Sequence, residues 1–136
     1  MRLLILDCKK FEYKLDHKTQ VADEVTEDLM QGKYDNPLVI FIAIEEKDNE
    51  EIIPRVVNDI KGITRNNNSN LVILNPFAHL SSSLAKAEKA KNLLNKLAEK
   101  LQECADFKTI KSVFGWYKQF LVDVKGHGNS QLYREY

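Results

Sequence analysis

The sequence predicts a single α/β domain over residues 1–136. Two continuous apolar runs, residues 38–44 and 71–74, are rich in β-branched side chains and of strand length, as expected of strands covered on both faces. Two longer stretches with helical character follow them, and strands interleaved with helices give an α/β architecture. A chain of 136 residues is also long enough to bury one sizeable core.

Taken in order, residues 2–7 predict a first strand, and the alternating Phe11-Glu12-Tyr13-Lys14-Leu15 a second. Residues 16–36 are polar, contain Gly32 and Asn36-Pro37, and predict a long connection with one helical turn. After the strand at 38–44, residues 50–66 predict a helix whose Pro54 is tolerated because it falls in the first turn. The run Asn66-Asn67-Asn68-Ser69-Asn70 ends it, and the strand at 71–74 leads into Asn75-Pro76-Phe77-Ala78-His79. A long helix is predicted over 82–103, with Leu94, Leu97, Leu101 and Cys104 on one apolar stripe and Ser81, Ser82 and Ser83 as N-cap candidates. Lys86, Lys89, Lys96 and Lys100 form a second stripe, read either as a solvated face or as a ridge facing RNA. Residues 107–113 and 116–124 predict two more strands, Gly126-His127-Gly128 a turn, and the rest a polar tail. That tail has no evident terminating structure, which fits a piece of a longer protein.

Composition narrows the function classes. The 43% apolar and 29% charged content is ordinary for a globular domain, and no apolar run nears the roughly 18 residues a membrane helix needs. The charged start, Met1-Arg2, does not suit a signal peptide. Cys8 and Cys104 suggest neither a disulfide framework nor a zinc site, so a reduced, cytoplasmic setting is expected. The net charge is zero, yet residues 1–59 carry 8 Lys/Arg against 14 Asp/Glu while residues 60–136 carry 12 against 6. A basic second half offers a face to a polyanion, although a neutral domain alone is a poor RNA binder.

Two ionisable side chains stand out. His79 follows a strand where a helix is expected to begin, a place whose unpaired N–H groups accommodate an ester carbonyl or developing oxyanion. The alternative is that His79 caps or packs a turn. Lys118 shares the period-2 face of Phe120, Val122 and Val124, so its ammonium either snorkels outward or sits at the mouth of an apolar pocket. Tyr117 and Gln119 point to the opposite face. His17, His79 and His127 lack metal-ligand spacing, the scattered glycines form no phosphate loop, and the serines lack a nucleophile elbow.

The segments Pro76-Phe77-Ala78-His79-Leu80-Ser81-Ser82 and Phe114-Gly115-Trp116-Tyr117-Lys118, with Phe11-Glu12-Tyr13, residues 41–45 and Lys125-Gly126-His127, carry a family resemblance. Over most of its length the chain resembles the N-terminal editing domain of archaeal threonyl-tRNA synthetases, which has the fold of the D-aminoacyl-tRNA deacylases. The resemblance implies a mixed sheet with two main helices and hydrolysis of the ester in seryl-tRNA(Thr). It implies an amino-acid pocket built by Ile44, Pro76, Phe77 and Ala78, lined by Tyr117 and Lys118. Lys118 and His79 would orient water or the seryl hydroxyl, assisted by the 2′-OH of the terminal adenosine. Some relatives have an acidic residue where Gln131 aligns, so Gln131 is expected at the substrate; either the acid is dispensable, or Glu135 replaces it, or the site is weakened. The resemblance further implies a homodimer, a tRNA(Thr) acceptor end as partner and a synthetase core that alone uses zinc and ATP. A freestanding D-aminoacyl-tRNA deacylase and a non-catalytic domain that positions tRNA or dimerises are the competing readings.

Overall fold

The computed structural model describes all residues, Met1–Tyr136. Seven strands form one sheet: β1 (Arg2–Lys18), β2 (Gln31–Asp35), β3 (Leu38–Ala43), β4 (Leu71–Pro76), β5 (Lys108–Lys111), β6 (Trp116–Val124) and β7 (Gln131–Glu135). Two helices, α1 (Ile53–Asn66) and α2 (Ala87–Gln102), complete the fold. The central order is β2-β1-β3-β4-β5, with β6 and β7 also paired to β1. Pairs β3–β4 and β4–β5 are parallel, joined through α1 and α2, and every pair made by β1 is antiparallel. The expected mixed sheet with two helices is therefore present.

β1 is one strand of 17 residues where the sequence pattern predicted two. Its first half pairs β3 and β7, and its second half pairs β2 and β6. A register shift between Cys8 and Lys10 explains the broken pattern. Before it, Leu4, Leu6 and Cys8 pack into one cluster; after it, Phe11, Tyr13 and Leu15 do. A single extra residue exchanges the two faces of a strand, so the alternation changes phase there.

The larger core lies between the sheet and both helices, with Leu3, Ile5, Leu38, Ile40 and Leu74 meeting Val56, Ile60, Leu94, Leu97 and Leu101. A second core covers the other face around Phe11, Phe41, Ile73 and Val113. All six residues of β3 are buried, which is why its sequence is apolar throughout.

Several predicted boundaries are corrected. Residues 16–36 are less a loop than an extension of β1, a single 3-10 turn at Glu27–Leu29, and the edge strand β2. β2 is mostly polar because it is an edge strand with no fully buried residue, and its Tyr34 packs against Phe11 and Tyr13. Gly32 stands opposite Tyr13, where a Cβ would lie 2.5 Å from the ring. The polar tail is β7, hydrogen-bonded to residues 2–6 of β1. α2 starts at Ala87, not at residue 82, and Lys86 at its N-cap makes no side-chain cap. Three of the four stripe lysines meet oxygen partners: Lys89 the Glu46 carbonyl, Lys96 the Glu50 carboxylate and Lys100 the Glu103 carboxylate. No helix is long and apolar enough to cross a membrane.

Candidate active site

The C-terminal ends of β3 and β4 open into a cavity of about 410 Å³ lined by 20 residues, 15 of them hydrophobic. Crevices beyond the carboxyl ends of parallel strands are the usual ligand sites of such sheets. One wall is the end of β3, at Ala43 and Ile44, and another is Pro76, Phe77, Ala78 and His79 after β4. Ala87, Ala90 and Leu94 of α2 close the helix side, and Gly115 to Lys118 with Phe120 form the third wall.

The turn that carries His79 is pinned to β3. Phe77 N–H donates to the Ile42 carbonyl at 2.8 Å, and Ala85 N–H to the Ile44 carbonyl at 3.0 Å. His79 itself lies in a 3-10 turn, Ala78–Leu80, well before α2 begins. The expected helix N-terminus at His79 is therefore absent, because the serines that would have capped it serve the loop instead: Ser83 N–H donates to Ser81 Oγ at 3.1 Å. The His79 ring is exposed and packs edge-on to Phe77, with ring centres 5.2 Å apart.

Lys118 lies opposite Leu15 on the face it shares with Phe120, as the alternation predicted. Burial alone pushes its ammonium down from the ordinary 10.5 to about 8. It forms no ion pair with any acidic side chain. Tyr117 is 53% exposed at the rim, its ring 4.7 Å from that of His17.

The third wall is held by contacts that sequence reasoning missed. Thr19 donates to the Gly115 carbonyl through its N–H at 2.9 Å and its hydroxyl at 2.7 Å. Trp116 Nε1–H donates to the Asp23 carbonyl at 2.8 Å, and Asp23 pairs with Lys91 at 2.8 Å. This strap brings Thr19 and Val21 to the cavity. Gly115 has φ +76°, and a Cβ there would lie 2.6 Å from Ala22 Cα, so only glycine fits beneath the strap. The one signal for this in the sequence was the glycine itself, and nothing nearby named its partner. On the opposite side of the wall, the buried Ser112 hydroxyl donates to Asn75 Oδ1 at 2.6 Å, joining the β5–β6 loop to β4.

Ile44, Pro76, Phe77, Ala78, His79, Tyr117 and Lys118 thus meet in one cavity. Gln131 does not join them. It begins β7 opposite Leu6, exposed and outside the lining residues. Glu135 accepts a hydrogen bond from Tyr133 at 2.6 Å and pairs with Arg2 at 3.4 Å, so it is no substitute. The strand alternation of β7 is fixed by its pairing with β1, and that pairing places both residues away from the cavity. Lys125 and His127 instead converge on buried Asp7, at 2.8 and 2.7 Å, and fasten the β6–β7 turn.

An apolar cavity holding a desolvated ammonium and an imidazole suits a polar, electron-rich group between them. The ammonium stabilises developing negative charge more strongly there than in water, and the imidazole can hold or relay a proton.

The chain is 36% identical over 133 residues to a threonine–tRNA ligase of Staphylothermus marinus, covering 97% of this chain and 22% of that protein. It is likewise 36% identical over 137 residues to a threonine–tRNA ligase of Caldivirga maquilingensis, covering 98% and 22%. The chain therefore spans about a fifth of the length of these relatives. Its fold is similar to a c-Myc DNA unwinding element binding protein, with a TM-score of 0.72 at 11% identity and coverage of 100% and 99%. It is also similar to a probable eukaryotic D-amino acid tRNA deacylase, with a TM-score of 0.60 at 9% identity and coverage of 98% of each chain. The family model for the archaea-specific editing domain of threonyl-tRNA synthetase matches residues 1–136, and the chain belongs to that family.

Proposed function

We propose that this domain removes L-serine from mischarged seryl-tRNA(Thr) by hydrolysing the ester to the terminal adenosine. The observation that carries the reading is Lys118, a desolvated ammonium without an acidic partner that lines the same cavity as His79. Family membership supplies the substrate class. Serine and threonine differ by one methyl group, which a single binding site discriminates by only about 1–3 kcal/mol. A second site that admits serine and rejects threonine supplies the remaining selectivity.

In this reading Ile44, Pro76, Phe77 and Ala78 hold the amino acid largely through main-chain groups, with Tyr117 at the rim. Water attacks the ester carbonyl carbon, the bond to the ribose oxygen breaks, and serine leaves as the free acid. Lys118 stabilises the carbonyl oxygen as it gains charge, while His79 orients the water or the seryl hydroxyl. The neighbouring 2′-OH assists by passing its proton to the leaving oxygen while taking one from the attacking water, so the RNA contributes part of the catalysis.

The domain would act as the N-terminal part of a longer cytoplasmic synthetase whose core holds most of the tRNA and uses zinc and ATP. A homodimer is also part of the proposal. β6 pairs only with β1 and exposes Tyr117 and Leu121, which gives a second copy an edge and an apolar surface to cover. The test is single-turnover deacylation of L-seryl-tRNA(Thr) by the domain and by its Lys118→Met and His79→Ala variants. Loss of at least about tenfold in each variant supports the assignment; unchanged rates overturn it.

A further inference from the structure

Glu45 is a buried acid just beyond the cavity wall, its side chain 4% exposed. It gathers an unusual set of donors. Arg2 Nε donates at 2.7 Å, the Met1 α-ammonium at 3.2 Å and the Ser81 hydroxyl at 2.7 Å. Lys47 lies 3.6 Å away at the surface. Burial pushes the carboxyl up, but the hydrogen bonds from Ser81, Met1 and Arg2 outweigh it and hold it down at about 2.

The Ser81 contact differs from the others in what it controls. The 3-10 turn Ala78–Leu80 has His79 at its middle. Its start is fixed by Phe77 N–H on the Ile42 carbonyl, and its end closes through Ser81 N–H on the Ala78 carbonyl at 3.2 Å. Ser81 is then bound to Glu45, the residue directly after the cavity-lining Ile44. Beyond it, the loop is next held only at Ser83 and Ala85, by backbone bonds to Glu46 and Ile44. From residues 78–82, the Ser81 hydroxyl makes the one side-chain hydrogen bond to the end of β3. The His79 ring makes no hydrogen bond of its own, so its place is set by the turn beneath it.

We infer that Ser81, clamped by the buried Glu45 carboxylate, is a positioning residue that fixes His79 in the cavity for the hydrolysis. The inference rests on the proposed deacylation. A charged acceptor makes this hydrogen bond stronger than a neutral one, and the clamp holds the turn at its far end. Small displacements of a group that orients a reactant cost rate far more than they cost folding stability.

Ser81→Ala is the informative variant, because Glu45 keeps Arg2, Met1 and Lys47 and the fold survives. The expected result is a kcat on seryl-tRNA(Thr) lowered about 10- to 100-fold, with KM within about twofold and Tm down by at most about 5 °C. Ser81→Thr, which retains the hydroxyl, should restore most of the rate. In the His79→Ala background, Ser81→Ala should cause no further loss. A Ser81→Ala enzyme with full kcat, or losses that multiply with His79→Ala, would overturn the inference. Imidazole NMR separates it from the activity reading: Ser81→Ala should shift or broaden the His79 ring signals while those of His17 and His127 stay. A wild-type domain without deacylase activity sinks the functional reading alone, whereas unmoved His79 signals sink the clamp.

Discussion

Lys118 on β6 and His79 on the turn after β4 line one apolar cavity, and neither is engaged by another side chain through a hydrogen bond or ion pair. The two walls that carry them are held independently. One is pinned to β3 by Phe77 and Ser81, the other to β4 by Ser112 and to the Thr19–Asp23 strap by Gly115 and Trp116. Such separate support leaves both side chains free of each other's wall.

Lys118 should destabilise the domain that it serves. Its folded value of about 8 lies below the ordinary 10.5, so between those values the native state has released a proton that the unfolded chain retains. Stability from this residue therefore rises with pH across that window, and the cost is full below about 8. Lys118→Met should raise Tm by several degrees at pH 7 and by much less at pH 10.5. Thermal melts at both values check this; an equal or lower Tm at pH 7 contradicts it.

Glu45 should have the opposite signature. Its carboxyl is held at about 2 against an ordinary 4.5, so its contribution is present above 4.5 and fades as pH falls toward 2. Glu45→Gln should cost about 1–3 kcal/mol at pH 7, since the charge-assisted bonds to Glu45 are lost while Met1 keeps Asp48 and the partly exposed Arg2 keeps Glu135. That gap should narrow steadily between pH 4.5 and 2 in urea unfolding curves. A gap that stays constant with pH would mean that the charge of Glu45 is irrelevant.

Gly115→Ala should loosen the strap. The new Cβ meets Ala22 backbone, and the left-handed φ adds strain of about 1–3 kcal/mol. Trp116 is the sole tryptophan, so release of its hydrogen bond to Asp23 should appear directly as a red-shifted, quenchable fluorescence. Wild-type emission in the variant would refute the strap.

How much of this was legible in the sequence depended on whether a residue's partners lay close by. β3 and α1 were readable because burial on both faces and a periodic stripe leave local patterns. β2 and β7 were not, because short polar edge strands bury one side chain in two at most. The bulge after Cys8 disguised one strand as two. The cavity lining was readable at Ile44, 76–79 and 117–118, where contiguous motifs supply whole walls. Thr19, Val21 and the partners of Glu45 escaped notice because the groups they meet lie dozens of residues away. The position of Gln131 outside the cavity lining was not legible either, since β7 was not recognised as a strand whose pairing fixes its direction.

Asp7 fastens His127 and not the cavity histidine, His79. Its buried carboxylate binds both Lys125 and His127, outside the cavity. Asp7→Asn should cost about 3 kcal/mol in urea unfolding yet leave the rate on seryl-tRNA(Thr) within about twofold at temperatures where the variant is folded. A catalytic defect in the folded variant would place His127 in the chemistry after all.

The most direct measurement is the single-turnover rate of the wild-type domain on L-seryl-tRNA(Thr), L-threonyl-tRNA(Thr) and D-seryl-tRNA(Thr) side by side. Serine editing requires rapid loss of the L-seryl ester, with the L-threonyl and D-seryl esters at their spontaneous rates. Loss of the D-seryl ester alone, or survival of all three, would contradict it.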